Sequence, residues 1–467
     1  MDPLNPTPTG TQPTTTGADA ALSPSNPNAD LAVASKGTAG ATELEKALNA
    51  NLPADEQQSA KTLPNDHDHA PAVGKFERHV DLNTEVDGAR GLNVGSLVRE
   101  RNFRDDLGAK GDFFNPKGGD NVVIAGGDSD IIRSTGGGFN TITTGTGKDT
   151  IFLGKETTAR IMDFDPNNDR FVITGGLSPR DIVIAQGKDA TKGALNQPLD
   201  SKDNALVIEK TTGHILASMT FTKASALSEK NFVRNSFEGN QSLRGLDQIG
   251  FKTQRGSGKI SGNNDVKDRL IGGDGNDFLF AGDNAFRFET AKGGGGTEFP
   301  FPTDSGGTSE LNLEMKNGVL NVNGTYKDFD GALLFSQGET EIDPKARILN
   351  GSDPKTLVEG FLKVSNDSEG NARTGTHLHF SPSNDDRGNF ADATVVRFYK
   401  ETVNDDGRSG TISGSFKLSP EEQAALLAGN LYTNLHTNMD VDGDGKAGFP
   451  TGENRVNFNK DVVKFNA

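Results

Sequence analysis

Residues 118–154, GGDNVVIAGGDSDIIRSTGGGFNTITTGTGKDTIFLG, decide how this chain is read. Asn121, Asp130, Asn140 and Asp149 recur at spacings of nine, ten and nine residues. A β-branched aliphatic stands two places after each: Val123, Ile132, Ile142 and Ile151. Glycines lead into each acid or amide. This is the nonapeptide period G-G-x-G-x-D-x-U-x of a parallel β-roll, in which every unit supplies one turn and one short strand. Glycine takes the positive φ angles that such a turn needs and lets backbone carbonyls face inward. The aliphatic points into the narrow core between two facing sheets. A disordered Gly/Asp linker would not hold its aliphatics in register over four units.

Successive units lie on opposite sides of a roll, so turns pair with every second neighbour. Asp130 then stacks with Asp149, with Asp128 close by, on a carboxylate-rich side. Asn121 stacks with Asn140 on a neutral side, where Asp120 can assist. Carboxylate and carbonyl oxygens suit a hard cation that takes six to eight oxygen ligands, which means calcium. The unit returns cleanly at 272–280, GGDGNDFLF, with Asp274 and Asp277 as donors. Asp268 and the aliphatics Ile260, Leu270 and Leu279 extend a second block over 237–285. So few units cannot bury their own apolar face. The second block is therefore expected to stack on the first, within the chain or between chains.

These units resemble the RTX, or haemolysin-type, calcium-binding repeats of secreted bacterial proteins. The resemblance implies folding on meeting calcium outside the cell. It also implies one-step (type I) export guided by an uncleaved C-terminal signal, here in the 459–467 region. The first block departs from the pattern. Its doubled glycine is often lost and two of its four acids are Asn, which bears on the number of ions rather than on the fold.

The composition fits a thin β-architecture: 32% apolar residues, 58 Gly and no Trp in 467 residues. The length suggests about three domains at roughly 150 residues each. A net charge of −17 argues against nucleic acid and anionic membranes as partners, and for cations. Cysteine is absent, so neither disulfides nor thiolate metal sites are available. Bound calcium is the obvious substitute source of stability. No run of 18 apolar residues exists to span a membrane, and no ordinary signal peptide is evident at the N-terminus.

The expected class is all-β: parallel calcium-roll repeats plus antiparallel β-domains behind a disordered tail. Residues 1–74 are Pro/Thr/Ala-rich and too poor in apolar surface to fold, a short helix near 41–50 apart. His67 and His69 within them are read as idle. Residues 75–117 lead into and cap the roll. Residues 155–236 read as an antiparallel β-domain with a hairpin around the TTG turn after Glu209. Asp163, Asp165 and Asp169 there are read chiefly as turn residues. Residues 286–309 read as a Gly/Pro linker to a last domain over 310–458.

That domain opens with LNLEMKNGVLNVNGTYK, an Asn-Gly hairpin. Ser419-Pro420-Glu421-Glu422 is a capping box that starts a short helix, EEQAALLA, ended by Gly429. THLHF (376–380), GTISGSFKLSPEEQAALLAGNLYTNLHT (410–437) and Gly452-Glu453-Asn454-Arg455 together resemble the CHRD domain, a module named from chordin. The resemblance implies an antiparallel β-domain with no established catalysis.

Two candidate metal sites fall in it. His377 and His379 share one face of a strand, and His436 lies on another. If the strands are neighbours, three imidazoles converge as in a zinc or copper site; otherwise they hydrogen-bond structurally. Asp440, Asp442 and Asp444 occupy the first ligand positions of an EF-hand-like loop, with Glu453 as a late calcium ligand. The chain contains no G-x-S-x-G, H-E-x-x-H or phosphate-cradling loop. No catalytic residue is expected, the histidine cluster being the one candidate for a copper or zinc oxidoreductase. The expected role is an exported, calcium-stabilised extracellular structural protein that self-assembles into a matrix, sheath, surface layer or filament. A cell-surface adhesion module binding glycans is the alternative.

Overall fold

In a computed structural model, residues 92–93, 111–187, 191–192, 197–198, 204–234, 251–263, 267–298, 302–334, 347–350, 353–357, 374–380, 394–439 and 452–466 are described. The 1–74 tail and the Asp440–Asp444 loop lie outside them.

The repeat becomes a two-sheet parallel roll. Phe113–Asn115, Ile131–Ser134, Thr150–Leu153 and Arg170–Ile173 stack in one sheet. Asn121–Ile124, Gly138–Thr143 and Thr157–Ile161 stack in the other. Register brings identical repeat positions together, Val123 opposite Ile142 and Ile132 opposite Ile151. All four are fully buried. The turns enforce this closeness. At Gly145, with φ +87°, a Cβ would lie 1.8 Å from the Gly126 carbonyl oxygen of the neighbouring coil.

The second block stacks within the chain. Asp268–Ile271 pairs with Phe113–Asn115, and Phe278–Phe280 pairs with Asn121–Ile124, both parallel. One apolar column therefore runs Ile260, Leu279, Val123, Ile142, Ile161, Met219. The facing column runs Leu270, Phe114, Ile132, Ile151, Phe171, Phe232. Neither block has to bury its face alone, because each is the other's missing neighbour.

Three boundaries differ from expectation. The 155–236 region is only partly antiparallel. Thr157–Ile161 and Arg170–Ile173 are roll strands, and Ile215–Met219 and Phe232–Arg234 add to them in parallel. The antiparallel part comprises the hairpin Ala205–Glu209/Ile215–Met219 with Ile182–Gln186 beside it, and the short pair Thr191–Lys192/Gln197–Pro198. The 286–309 stretch is not a linker. Phe286–Phe288 pairs with Val463–Phe465, and Ala291–Gly294 pairs with Thr308–Lys316. Gly293 within it serves close strand approach rather than looseness. A Cβ on Gly293 would meet Val456 Cγ2 at 2.5 Å and the Arg455 carbonyl at 2.6 Å. The 459–467 region, expected as a tail, supplies that pairing strand.

Among the described residues, the last domain is built on a nine-stranded antiparallel sheet, with Arg347–Asn350 and Asp353–Leu357 paired separately. Its two edge strands, Thr394–Phe398 and Lys400–Val403, are separated in the chain by Tyr399 alone, so the sheet curls until its edges meet. The Asn317-Gly318 turn takes positive φ at both residues, as a tight two-residue hairpin requires. Pro420–Leu427 forms the expected helix. Ser419 Oγ accepts from the Glu422 amide, and Glu422 returns a carboxylate to the Ser419 amide. That helix docks the domain on the roll. Thr143 Oγ1 donates to the Ala424 carbonyl at 2.8 Å, and Asn430 Nδ2 donates to the Met162 carbonyl at 3.2 Å.

Replacing Ile142 by Ala removes one link of the apolar column and is expected to lower unfolding free energy by about 2–5 kcal/mol. Chemical denaturation read by circular dichroism measures it; a loss below about 1 kcal/mol would mean that the column is not the roll's core.

Candidate functional site

The roll has two rows of turns, and they differ in one respect. In the first row the carboxylates of Asp112, Asp130, Asp149 and Asp169 each accept the backbone N–H of the acid one coil before. The steps are Asp268 to Asp112 (2.7 Å), Asp112 to Asp130 (2.7 Å), Asp130 to Asp149 (2.8 Å) and Asp149 to Asp169 (3.1 Å). Five acids thus form a ladder at the spacing of adjacent strands, about 4.8 Å. Asp112, Asp130, Asp149 and Asp169 each spend one carboxylate oxygen on the ladder. Asp169 also accepts from the Asp165 amide, and Asp268 accepts from the Asn263 amide. The second oxygens of Asp130 and Asp149 (Oδ2), and Asp268 Oδ1, are buried and have no hydrogen-bond partner among the described residues.

In the second row the amides provide their own donors. Asn121 Nδ2 donates to Asn140 Oδ1 at 2.9 Å and to the Gly118 and Gly119 carbonyls at 3.0 Å. Asn140 Nδ2 donates to Ser134 Oγ at 2.9 Å. Asp277 lies in this row, its carboxylate accepting the Gly258 and Gly273 amides at 2.6 Å. Asp120 is half-buried and accepts the Phe139 amide at 3.0 Å. Asp274 is exposed, and Asp128 is half-buried in its turn with φ 68°.

The ladder's electrostatics follow from burial. Desolvation and the neighbouring carboxylates push Asp130 and Asp149 well above the usual carboxylate range. Asp112 and Asp169 are pushed up to about 7, first by desolvation, against the backbone N–H groups they accept. Asp268 is raised as well, again by burial. Like charges about 4.8 Å apart repel by roughly 3–4 kcal/mol at an effective dielectric constant near 20. Such a row needs protons or a bound cation to be stable. Its hard, oxygen-only donor set suits calcium.

The expected pairings Asp130/Asp149 and Asn121/Asn140 are formed, and Asp268 joins the first row. Asp112 was not picked out from the sequence, and Asp169 was read chiefly as a turn residue. Both carry the repeat's own signature, an Asp two residues before an inward apolar side chain, Phe114 and Phe171. Asp169 has no glycine leading into it, and Asp112, though preceded by Gly108 and Gly111, stands ahead of the run of repeats at 118–154.

The last domain brings its three histidines together. His377 and His379 stand on Thr376–Phe380, which pairs antiparallel with Leu431–Leu435, and the His436 amide donates to the Gly375 carbonyl. All three are buried, and their candidate ligand atoms lie within 4.8 Å of one another. Glu453 is also buried. Its carboxylate accepts from the Asp330 and Gly331 amides at 2.7 and 2.9 Å, and from the Ser305 and Thr437 hydroxyls. Both its oxygens are therefore engaged inside the domain. The three acids expected beside it lie outside the described residues.

Residues 290–444 match the family model of the CHRD domain. The match covers the docking helix and every strand of the curled sheet except Asn454–Asn457, and not the roll. No curated protein and no solved structure matches the chain. Among the described residues, no helix is long and apolar enough to cross a membrane.

The raised carboxylates set a pH dependence. An acid whose folded pKa exceeds its unfolded value stabilises fully below the unfolded value, and that contribution is lost as pH rises through the folded one. In chelator, the stability of the wild-type chain relative to Asp112→Asn is therefore expected to fall between about pH 4 and about 7. Thermal melts across that range measure it; a difference that stays flat or grows would show that Asp112 is not held protonated.

Proposed function

We propose that this chain is a calcium-stabilised structural protein, exported from the cell, whose roll becomes cohesive on meeting calcium outside and which then self-associates. The observation that carries this reading is the carboxylate row, in which three buried oxygens have no donor while the parallel amide row is satisfied. Asp112, Asp130, Asp149, Asp169 and Asp268 are the ligands proposed there, with turn carbonyls completing the oxygen shell. Asp128 stands in one of those turns. In the amide row Asn121 and Asn140 offer weaker sites, to which Asp120, Asp274 and Asp277 can contribute.

Calcium sites in extracellular modules commonly fall near 0.1–1 mM in affinity. Such sites stay empty before export and fill afterwards, so the ion acts as a folding signal. The acidic balance of the chain and its lack of cysteine fit that dependence. The CHRD domain, docked on the turns through Pro420–Leu427, is the part that rides on the roll. No catalytic role is proposed for either part.

A calcium titration followed by circular dichroism and sedimentation tests both halves. Strand signal and thermal midpoint are expected to rise over 0.1–1 mM calcium, with growth in mass following. A rise in stability in a chain that stays monomeric would remove self-association. Capture of cell-surface glycans by that monomer would favour the adhesion reading. No response to calcium would remove the proposal.

A further inference from the structure

We propose that His377, His379 and His436 bind one zinc or copper ion, at a site in the CHRD domain separate from the calcium row and independent of it. The two donor sets differ in kind. The carboxylate row offers only oxygen, whereas this cluster offers three imidazole nitrogens, which suit zinc and copper and not calcium.

The register of the sheet builds the cluster. His377 stands opposite Asn434, and His379 stands opposite Tyr432, on adjacent antiparallel strands. Opposed residues share a face, and so do residues two apart on one strand. His377, His379, Tyr432, Asn434 and His436 therefore share one face, while Leu378, Leu431 and Leu435 point to the apolar core. Nothing in core packing calls for three imidazoles there. Burying polar rings is costly unless each ring nitrogen is engaged.

Aromatic neighbours fix the rings. Tyr432 stacks on His379 with centroids 4.7 Å apart and planes 7° apart. Arg455 lies over Tyr432, its guanidinium carbon 3.6 Å from the ring centroid. Phe398 meets His377 edge-on, and His436 stacks on His377 with centroids 4.8 Å apart. A site held this way is organised before the ion arrives.

His377 Nδ1 and His379 Nε2 are 2.6 Å apart, a separation that a single shared proton explains. Two nitrogens bound to one tetrahedral zinc at about 2.0–2.1 Å each stand about 3.3 Å apart. Replacing the proton by the metal thus needs the rings to part by less than ~1 Å. Asn434 shares the face of the histidines, opposite His377. Its Oδ1 is buried and has no hydrogen-bond partner among the described residues. Open coordination positions at a three-histidine centre are typical of catalytic or redox sites, whereas structural zinc is closed by four protein ligands.

The test uses the full chain, stripped with chelator, returned to calcium, and given zinc, copper or cobalt as a spectroscopic stand-in for zinc. Mass spectrometry is expected to find one zinc or copper per chain. X-ray absorption is expected to find imidazole nitrogens at about 2.0–2.1 Å around zinc. His436→Gln should weaken binding at least tenfold. The double variant His67→Gln/His69→Gln should bind as wild type does, and the calcium midpoint should stay the same in every variant. The X-ray measurement needs no mutation, so it stands even if His436→Gln folds poorly. Three results would overturn the site: no metal retained, a shell of oxygen alone, or binding that disappears with the His67/His69 pair.

Discussion

A solenoid places each side chain directly over its counterpart in the next coil, and everything distinctive here follows from that repetition. For an aliphatic, repetition is favourable: Val123, Ile142 and Ile161 stack into a column that excludes water. For a carboxylate it is unfavourable, because each coil brings another negative charge to within about 4.8 Å of the last. The amide row shows a neutral solution to the same geometry. An Asn carries a donor and an acceptor, so Asn121 satisfies Asn140 and the glycine carbonyls without help. The acids of the other row can accept backbone N–H groups, but one oxygen each of Asp130, Asp149 and Asp268 has nothing to accept from among the described residues.

The roll is also assembled from separated pieces of chain. Asp268 reaches Asp112, and Asp277 reaches Asn121, across the same gap of 156 residues. Between those pieces lie the outer coils and the antiparallel hairpin. Closing so long a loop carries an entropic cost before any contact is gained. An ion held across neighbouring turns at this seam would offset it in the folded state only. The helix of the last domain meets the strands that lead into this roll's turns, through Thr143, and Asn430 just beyond it reaches Met162, so the order of the roll sets the footing of the second domain.

The repeat was legible because its period is local: an acid or amide, a spacer and an aliphatic recur within the sequence itself. The pairing of Asp130 with Asp149 and of Asn121 with Asn140 followed from alternation alone. The capping box of the helix and the Asn-Gly hairpin were legible for the same reason. Asp112 was not, although Gly111 precedes it, since it stands ahead of the run of repeats and its partner Asp268 comes from the far side of the seam. The glycines at 293–296 misled, because a glycine run reads as slack chain although Gly293 is there to let a strand pass close to Val456. The histidine cluster was half legible. The i, i+2 spacing put two rings on one face, but only the sheet register could bring His436 beside them.

The central claim is that the acid row is held together by something other than protein. The most direct measurement compares thermal midpoints of the wild-type chain and the double variant Asp130→Asn/Asp149→Asn, each in millimolar calcium and in excess chelator at neutral pH. The wild type should lose several degrees in chelator, and the variant, with amides in place of the stacked charges, should melt at nearly the same temperature in both. A wild-type chain that melts identically with and without calcium would contradict the claim.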